Sequence, residues 1–306
     1  MSFWKTYPVQ NIFKKELFKD LQFEKEDIVS QFEVKRVKNI AEIREIKIFL
    51  KSHFGGPMKP VLDIPEDKLH GKKDTILYVK TTEMAGCLRY HYIGTFLDKE
   101  IYCVDCFCIH PMWRKKGLAS YLLTELHKYA NKNNIPYAMW LKEGAPLSII
   151  LHPHYSGTYV YKEITKSTKT KRITKCITID EAYRFLDIFC EFKDIFIVRN
   201  KDAEQYWVLY QNGLHKVLAC IQDTYQYLNG KKMGWITGWI ESAMSDEYRE
   251  EACNQICDSI DIFDYMWGNK KWIGNSKEWK QDGNFHWYLY QWTTSINIKD
   301  SYCILN

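Results

Sequence analysis

The stretch from Ile101 to Leu141 limits the fold more than any other part of this chain. Ile101–Ile109 (IYCVDCFCI) is almost continuously apolar, with Asp105 the exception. That pattern predicts a strand buried on both faces. A basic turn, Arg114-Lys115-Lys116-Gly117, follows. Gly117 to Lys132 then carries Leu118, Leu122, Leu123, Leu126, Tyr129 and Ala130 at helical spacing, and Asn134-Ile135-Pro136 ends the run before a short strand, Tyr137–Leu141. Strand, turn, helix and strand make a βαβ unit. A helix that starts at a basic, glycine-containing turn offers unpaired amides, a positive dipole end and side-chain charge, which together suit a diphosphate.

The flanking segments predict a mixed α/β fold. Ala41–Ser52 has helical periodicity through Ile43, Ile46, Ile48, Phe49 and Leu50, and Thr75–Tyr92 reads as two strands turning at Thr81-Thr82-Glu83. Later, Asp180–Phe189 and Glu247–Ile262 read as helices. Ile195–Arg199, Tyr206–Tyr210, His215–Ile221 and Asn284–Trp292 read as strands. All eight prolines lie at or before Pro153, and a polar basic run occupies Lys162–Lys175. The shift in composition predicts a boundary near residues 160–176.

Three separated segments, in order, resemble N-myristoyltransferases, a family within the GNAT superfamily. Phe3-Trp4-Lys5-Thr6-Tyr7-Pro8-Val9 is similar to the F-W-x-T-x-P-V opening. Cys106 to Ala119 resembles the F-L-C-V-H-x-x-L-R-x-K-R-x-A block, and Arg114, Gly117 and Ala119 also fit the general acyl-CoA pattern R/Q-x-x-G-x-G/A. Asp282 to Trp292 resembles D-G-N-x-x-Y-Y-L-Y-N-W.

The resemblance implies an α/β fold, a mixed sheet in two GNAT-like halves related by a pseudo-twofold. Residues 1–165 would bind acyl-CoA and residues 166–306 would form the peptide or amine side. It implies transfer of a fatty acyl group, myristoyl, from acyl-CoA to the N-terminal glycine amine of a protein or peptide. Backbone amides of Cys106 and Phe107 would hold the oxyanion, and the α-carboxylate of Asn306 would be the base, with Asp105 the runner-up. Phe3, Trp4, Phe107, Cys108, Ile109, Arg114, Lys115, Lys116, Gly117, Leu118 and Ala119 would contact the CoA ester. Two departures stand out. The acid-rich loop that follows the first helix in the family is here His53–Pro60, with no acid until Asp63, and Asp105 stands where the family usually has Asn. Two other readings therefore stay open: a GNAT enzyme using a shorter acyl-CoA or another amine, and a catalytically lapsed relative with a binding role.

Composition excludes some classes. A hydrophobic fraction of 46% supports a large core, and a net charge of +5 is too mild to argue for nucleic acid. Cys103 and Cys106 form a CxxC, but on a strand they point to opposite faces, so no metal is expected there. No apolar run reaches the ~20 residues of a membrane span, and the opening Met1-Ser2-Phe3-Trp4 lacks a leader pattern. The expectation is a cytoplasmic monomer with reduced, buried thiols.

Overall fold

The computed structural model describes residues 32–55, 59–96, 98–135, 137–147, 153, 155–165, 173–190, 196–274, 276–290 and 303–304. Most strands join one thirteen-stranded mixed sheet. The first half of the chain supplies β1 (Val34–Arg36), β2 (Val61–Leu62), β3 (Thr75–Lys80), β4 (Met84–Phe96), β5 (Lys99–Ile109), β6 (Ala138–Glu143) and β7 (Tyr155–Glu163). The second half supplies β8 (Thr174–Ile177), β9 (Phe196–Ile197), β10 (Gln205–Asn212), β11 (His215–Leu228), β12 (Lys231–Glu241), β13 (Tyr265–Asn269), β14 (Lys280–Tyr290) and β15 (Cys303–Ile304).

The sheet order is β1-β3-β4-β5-β6-β14-β7-β13-β12-β11-β10-β8, with β2 attached to β11. Each half runs as an antiparallel meander into one parallel pair, β5 with β6 and β12 with β13. The last strand of each half crosses over, so β14 pairs with β6 and β7 with β13, and the two meet at the centre. The order therefore reads alike from either edge. β7, β8, β12 and β13 carry no clean alternation and went unpredicted. Of Ile195–Arg199, expected as a strand, the described residues form strand at Phe196–Ile197 and an isolated bridge from Arg199 to Thr95.

Helices cover both faces. α1 (Ile40–His53) starts at a capping box in which Asn39 Oδ1 accepts from Glu42 N–H at 3.0 Å and the Glu42 carboxylate accepts from Asn39 N–H. It buries Ile43, Ile46, Phe49 and Leu50 against one sheet face, while Ile48, expected in that stripe, faces solvent. α2 (Glu66–Leu69) is one turn. α3 (Leu118–Lys132) packs on the opposite face through Leu118, Leu122, Leu123, Leu126 and Ala130, the predicted stripe. α4 (Ile179–Cys190), α5 (Asp246–Asp258) and α6 (Lys270–Ile273) serve the second half. Among the described residues no helix is long and apolar enough to cross a membrane.

Candidate functional site

The site begins with an extra residue in β5. Cys87 pairs with Cys108, but Arg89 pairs with Asp105, so two steps on β4 face three on β5. That is a β-bulge. Cys106 takes φ +48°, a left-handed conformation that costs about 1–2 kcal/mol for a residue with a Cβ. The bulge turns Cys106 toward α1 and Phe107 toward α3. Burial pushes the Cys106 thiol up and holds Cys108 at about 11, so both stay protonated near neutrality.

Beyond the bulge the sheet opens. Parallel pairing of β5 with β6 stops at Val104 and Trp140, although β5 continues to Ile109 and β6 to Glu143. Past Val104, β6 pairs only with β14. The two strands diverge into a notch, and the main chain of Asp105 to Ile109 lacks a β6 partner on that side. The sequence-predicted oxyanion residues, Cys106 and Phe107, form this wall.

At the end of β5, His110 caps a short 3₁₀ turn, Pro111–Trp113, its Nδ1 accepting from Met112 N–H. Its ring lies edge-on to His53 of α1, 4.6 Å between centroids. Burial first, then the charges of His110 and Arg114, keep the His53 pKa below its usual value. Arg114 Nε donates to the Ile109 carbonyl at 3.0 Å, tying the basic turn to the strand. Lys115 and Gly117 take φ +62° and +82°. Gly117 caps α3 without a side-chain bond, and no acid sits in the first turn. Lys116 Nζ lies 4.9 Å from the Trp113 ring centre. Leu118 and Cys108 are buried in the core, so they can offer a ligand only their main chain. The turn thus has the features an anionic ester of this kind needs: open amides, exposed cations and a glycine with no atom within 4 Å of its Cβ direction.

An apolar pocket leads from the notch between α3 and the strands β6 and β14. Val104 and Trp140, the last paired residues, stand at one end beside Leu123. Ala130, His127 and Tyr290 also line it. The cavity between these walls is small, about 20 Å³. His127 is buried and bonded to Asn131 and to the Tyr290 hydroxyl, while Tyr90 Oη donates to the Ile135 carbonyl at 2.7 Å.

Asp105, expected as a second choice of base, has both oxygens engaged. Arg89 Nε donates to Oδ1 at 2.7 Å and Nη2 to Oδ2 at 2.6 Å. Both carboxylate oxygens are thereby tied to the guanidinium across the β4–β5 pair. Nothing in the sequence pattern singled out Arg89, because a lone Arg in a strand usually lies at a solvated face. Phe3, Trp4 and Asn306 lie outside the described residues. The nearest described strand to the chain's end, β15, runs parallel to β9.

The groove that follows α1 carries a single acid, Asp63, among its described lining residues. This open groove between the end of α1, β2 and the β11–β12 turn is lined by Lys51, Lys59, Asp63, Tyr227 and Asn229. Lys51 and Lys47 hold Asp63 at 2.6 and 3.1 Å, so the first acid after the helix is neutralised.

The second half has the matching notch, but it is closed. Parallel pairing of β12 with β13 stops at Trp235 and Trp267. Beyond it the buried α6 residues Trp272 and Ile273 pack with Ile236, and a Cβ on Gly268 would stand 2.8 Å from Ile273. The connection into α5 is acidic, through Glu241, Asp246 and Glu247, with Arg249 bridging Glu241 and Asp246. No group of three or more His, Cys, Asp or Glu among the described residues could hold a metal ion.

Comparison with known proteins fits this geometry. Residues 44–149 match the family model described as Acetyltransferase (GNAT) family, a span that holds the notch, the bulge and the basic turn. That domain makes the protein an acyltransferase. Compared by sequence with curated proteins, the chain has no match. By fold it is similar to Saccharomyces cerevisiae N-myristoyltransferase with bound myristoyl-CoA, with a TM-score of 0.61 and 11% identity over 94% of this chain and 87% of that one. A second structure of that enzyme gives 0.58 and 10% identity over 94% and 92%. A likeness at such identities is one of fold.

Proposed function

We propose, on the premise of an acyltransferase domain in the first half, that this protein moves a fatty acyl group, myristoyl, from acyl-CoA to an N-terminal glycine amine. The observation that carries the reading is that one strand, β5, ends in three successive features: a bulge at Cys106 and Phe107, a notch where β6 leaves it and a basic helix start. The CoA phosphates rest on the α3 amides with Arg114, Lys115 and Lys116 around them. The thioester lies in the notch with its carbonyl oxygen toward Cys106 and Phe107. Attack by the amine puts negative charge on that oxygen, and a preorganised donor there is worth about 2.7–4 kcal/mol. The released thiolate of CoA takes the proton that the amine loses. The protonated thiols of Cys106 and Cys108 favour direct transfer over an acyl-enzyme.

The amine must be neutral to attack, and the α-carboxylate of Asn306 is the proposed base, since Asp105 is clamped. The sheet order, alike from both edges, supports two halves related by a pseudo-twofold, 1–165 and 166–306, each lending its last strand to the other. The packed, acidic second notch supports acyl-CoA binding by the first half.

One observation favours a second reading, a shorter acyl donor: the apolar pocket beside the notch has a volume of only about 20 Å³. A single experiment separates them. The purified protein is offered myristoyl-CoA or acetyl-CoA with glycine-initiated peptides, and products are weighed by mass spectrometry. Myristoylated peptide supports the first reading and acetylated peptide the second. Absence of transfer from either donor leaves a binding role. Residues appended after Asn306 should abolish turnover if the terminal carboxylate is the base.

A further inference from the structure

The structure assigns Arg89 and Asp105 as a positioning pair that holds the β5 bulge in the shape its amides need; the assignment rests on the oxyanion reading above. Three observations converge. Arg89 and Asp105 are direct cross-strand partners at the register position where the bulge begins. Their ion pair is bidentate, and Arg89 is only 7% exposed. The guanidinium has a third tie, Nη1 donating to the Lys68 carbonyl at 2.8 Å, so β4, β5 and α2 are pinned through one side chain.

The physical need is plain. Cys106 sits at φ +48°, a conformation that its own side chain disfavours. Left to itself, the strand would relax toward a regular register, moving the amides of Cys106 and Phe107. The bulge instead puts Asp105 and Cys106 in succession on the α1 face, where Arg89 reaches the carboxylate from the partner strand and the Cys87 thiol lies 3.6 Å from the Cys106 carbonyl. Burial works against the charge on Arg89, yet the Asp105 carboxylate beside it more than compensates and raises its pKa. A planar fork fixes both distance and angle, which a lysine could not do. Cys103 and Cys106 of β5, Asp74 and Tyr225 of β11 are the other titratable groups around the guanidinium.

Two variants test this. Arg89→Lys keeps the charge and loses the fork. The double variant Arg89→Met with Asp105→Leu removes the pair without stranding a buried charge, so the fold should persist. Both should lower kcat about 10- to 100-fold, as expected for an oxyanion donor displaced by a fraction of an ångström to an ångström. KM for acyl-CoA should stay within about threefold, because the phosphate turn is untouched. Amide hydrogen exchange at residues 105–108 should quicken in both. A folded double variant with kcat within about threefold of wild type and unchanged exchange would overturn the assignment. Should the wild-type protein release no CoA from any acyl-CoA, the oxyanion reading fails on its own, and the exchange measurement still decides whether the pair holds the bulge.

Discussion

Replacing Gly117 by Ala separates the strain of the basic turn from its use. Gly117 has φ +82°, and a Cβ built there meets no atom within 4 Å. The cost to the fold is therefore backbone strain alone, about 1–2 kcal/mol. With an unfolding entropy of about 2.1 cal/mol/K per residue over 306 residues, that lowers Tm by about 2–3 °C. The methyl group would stand beside the first amides of α3, where the CoA diphosphate is placed, so affinity should fall by about tenfold or more, ~1.4 kcal/mol. Gly117→Asn completes the test, since Asn tolerates the left-handed region. It should recover much of the lost Tm and none of the affinity. Differential scanning calorimetry gives the first quantity and isothermal titration with CoA the second. CoA binding within twofold of wild type in both variants would show that the diphosphate lies elsewhere.

Three further outcomes are expected. Lys115→Ala with Lys116→Ala removes two charges from the turn. At ~5 Å from a phosphate each is worth about 1–3 kcal/mol at effective dielectrics of about 80 to 20, so CoA should bind more weakly at low salt, and the difference should shrink at high salt. Ala130→Phe fills the apolar pocket and should weaken a long-chain acyl-CoA toward the affinity of free CoA, with free CoA unaffected; equal loss for both would place the acyl tail elsewhere. Asp74 is buried, which pushes its carboxyl up, but the His91 contact, the charges of His91 and Arg89 and the Gly71 amide outweigh that and lower its pKa overall. A carboxyl lowered on folding contributes stability that is present above its unfolded pKa of ~3.9 and lost as pH falls through the folded value. The advantage of wild type over Asp74→Asn in urea should therefore be full at pH 6 and diminish below about pH 4.

Legibility tracked how local each interaction is. The α3 stripe, the buried β5 run and the turn Arg114–Gly117 were readable because each is decided within one turn or strand by periodicity and breaker residues. Ile48 was misplaced because α1 buries a narrower face than its apolar content suggests. β7 was missed because it pairs at the centre of the sheet with β13 and β14, about 100 or more residues away, where neighbours rather than propensity set the conformation.

The sequence by itself determined the βαβ unit, its basic glycine turn and the lack of acids between the first helix and Asp63, all features of residue type and spacing. Only the tertiary structure decided that β5 bulges at Cys106, that β5 and β6 part after Val104, that Arg89 clamps Asp105 and that α6 closes the second notch. Each of these depends on registers and side-chain meetings between strands and helices far apart in the chain, which arise when the sheet closes and which no local pattern encodes.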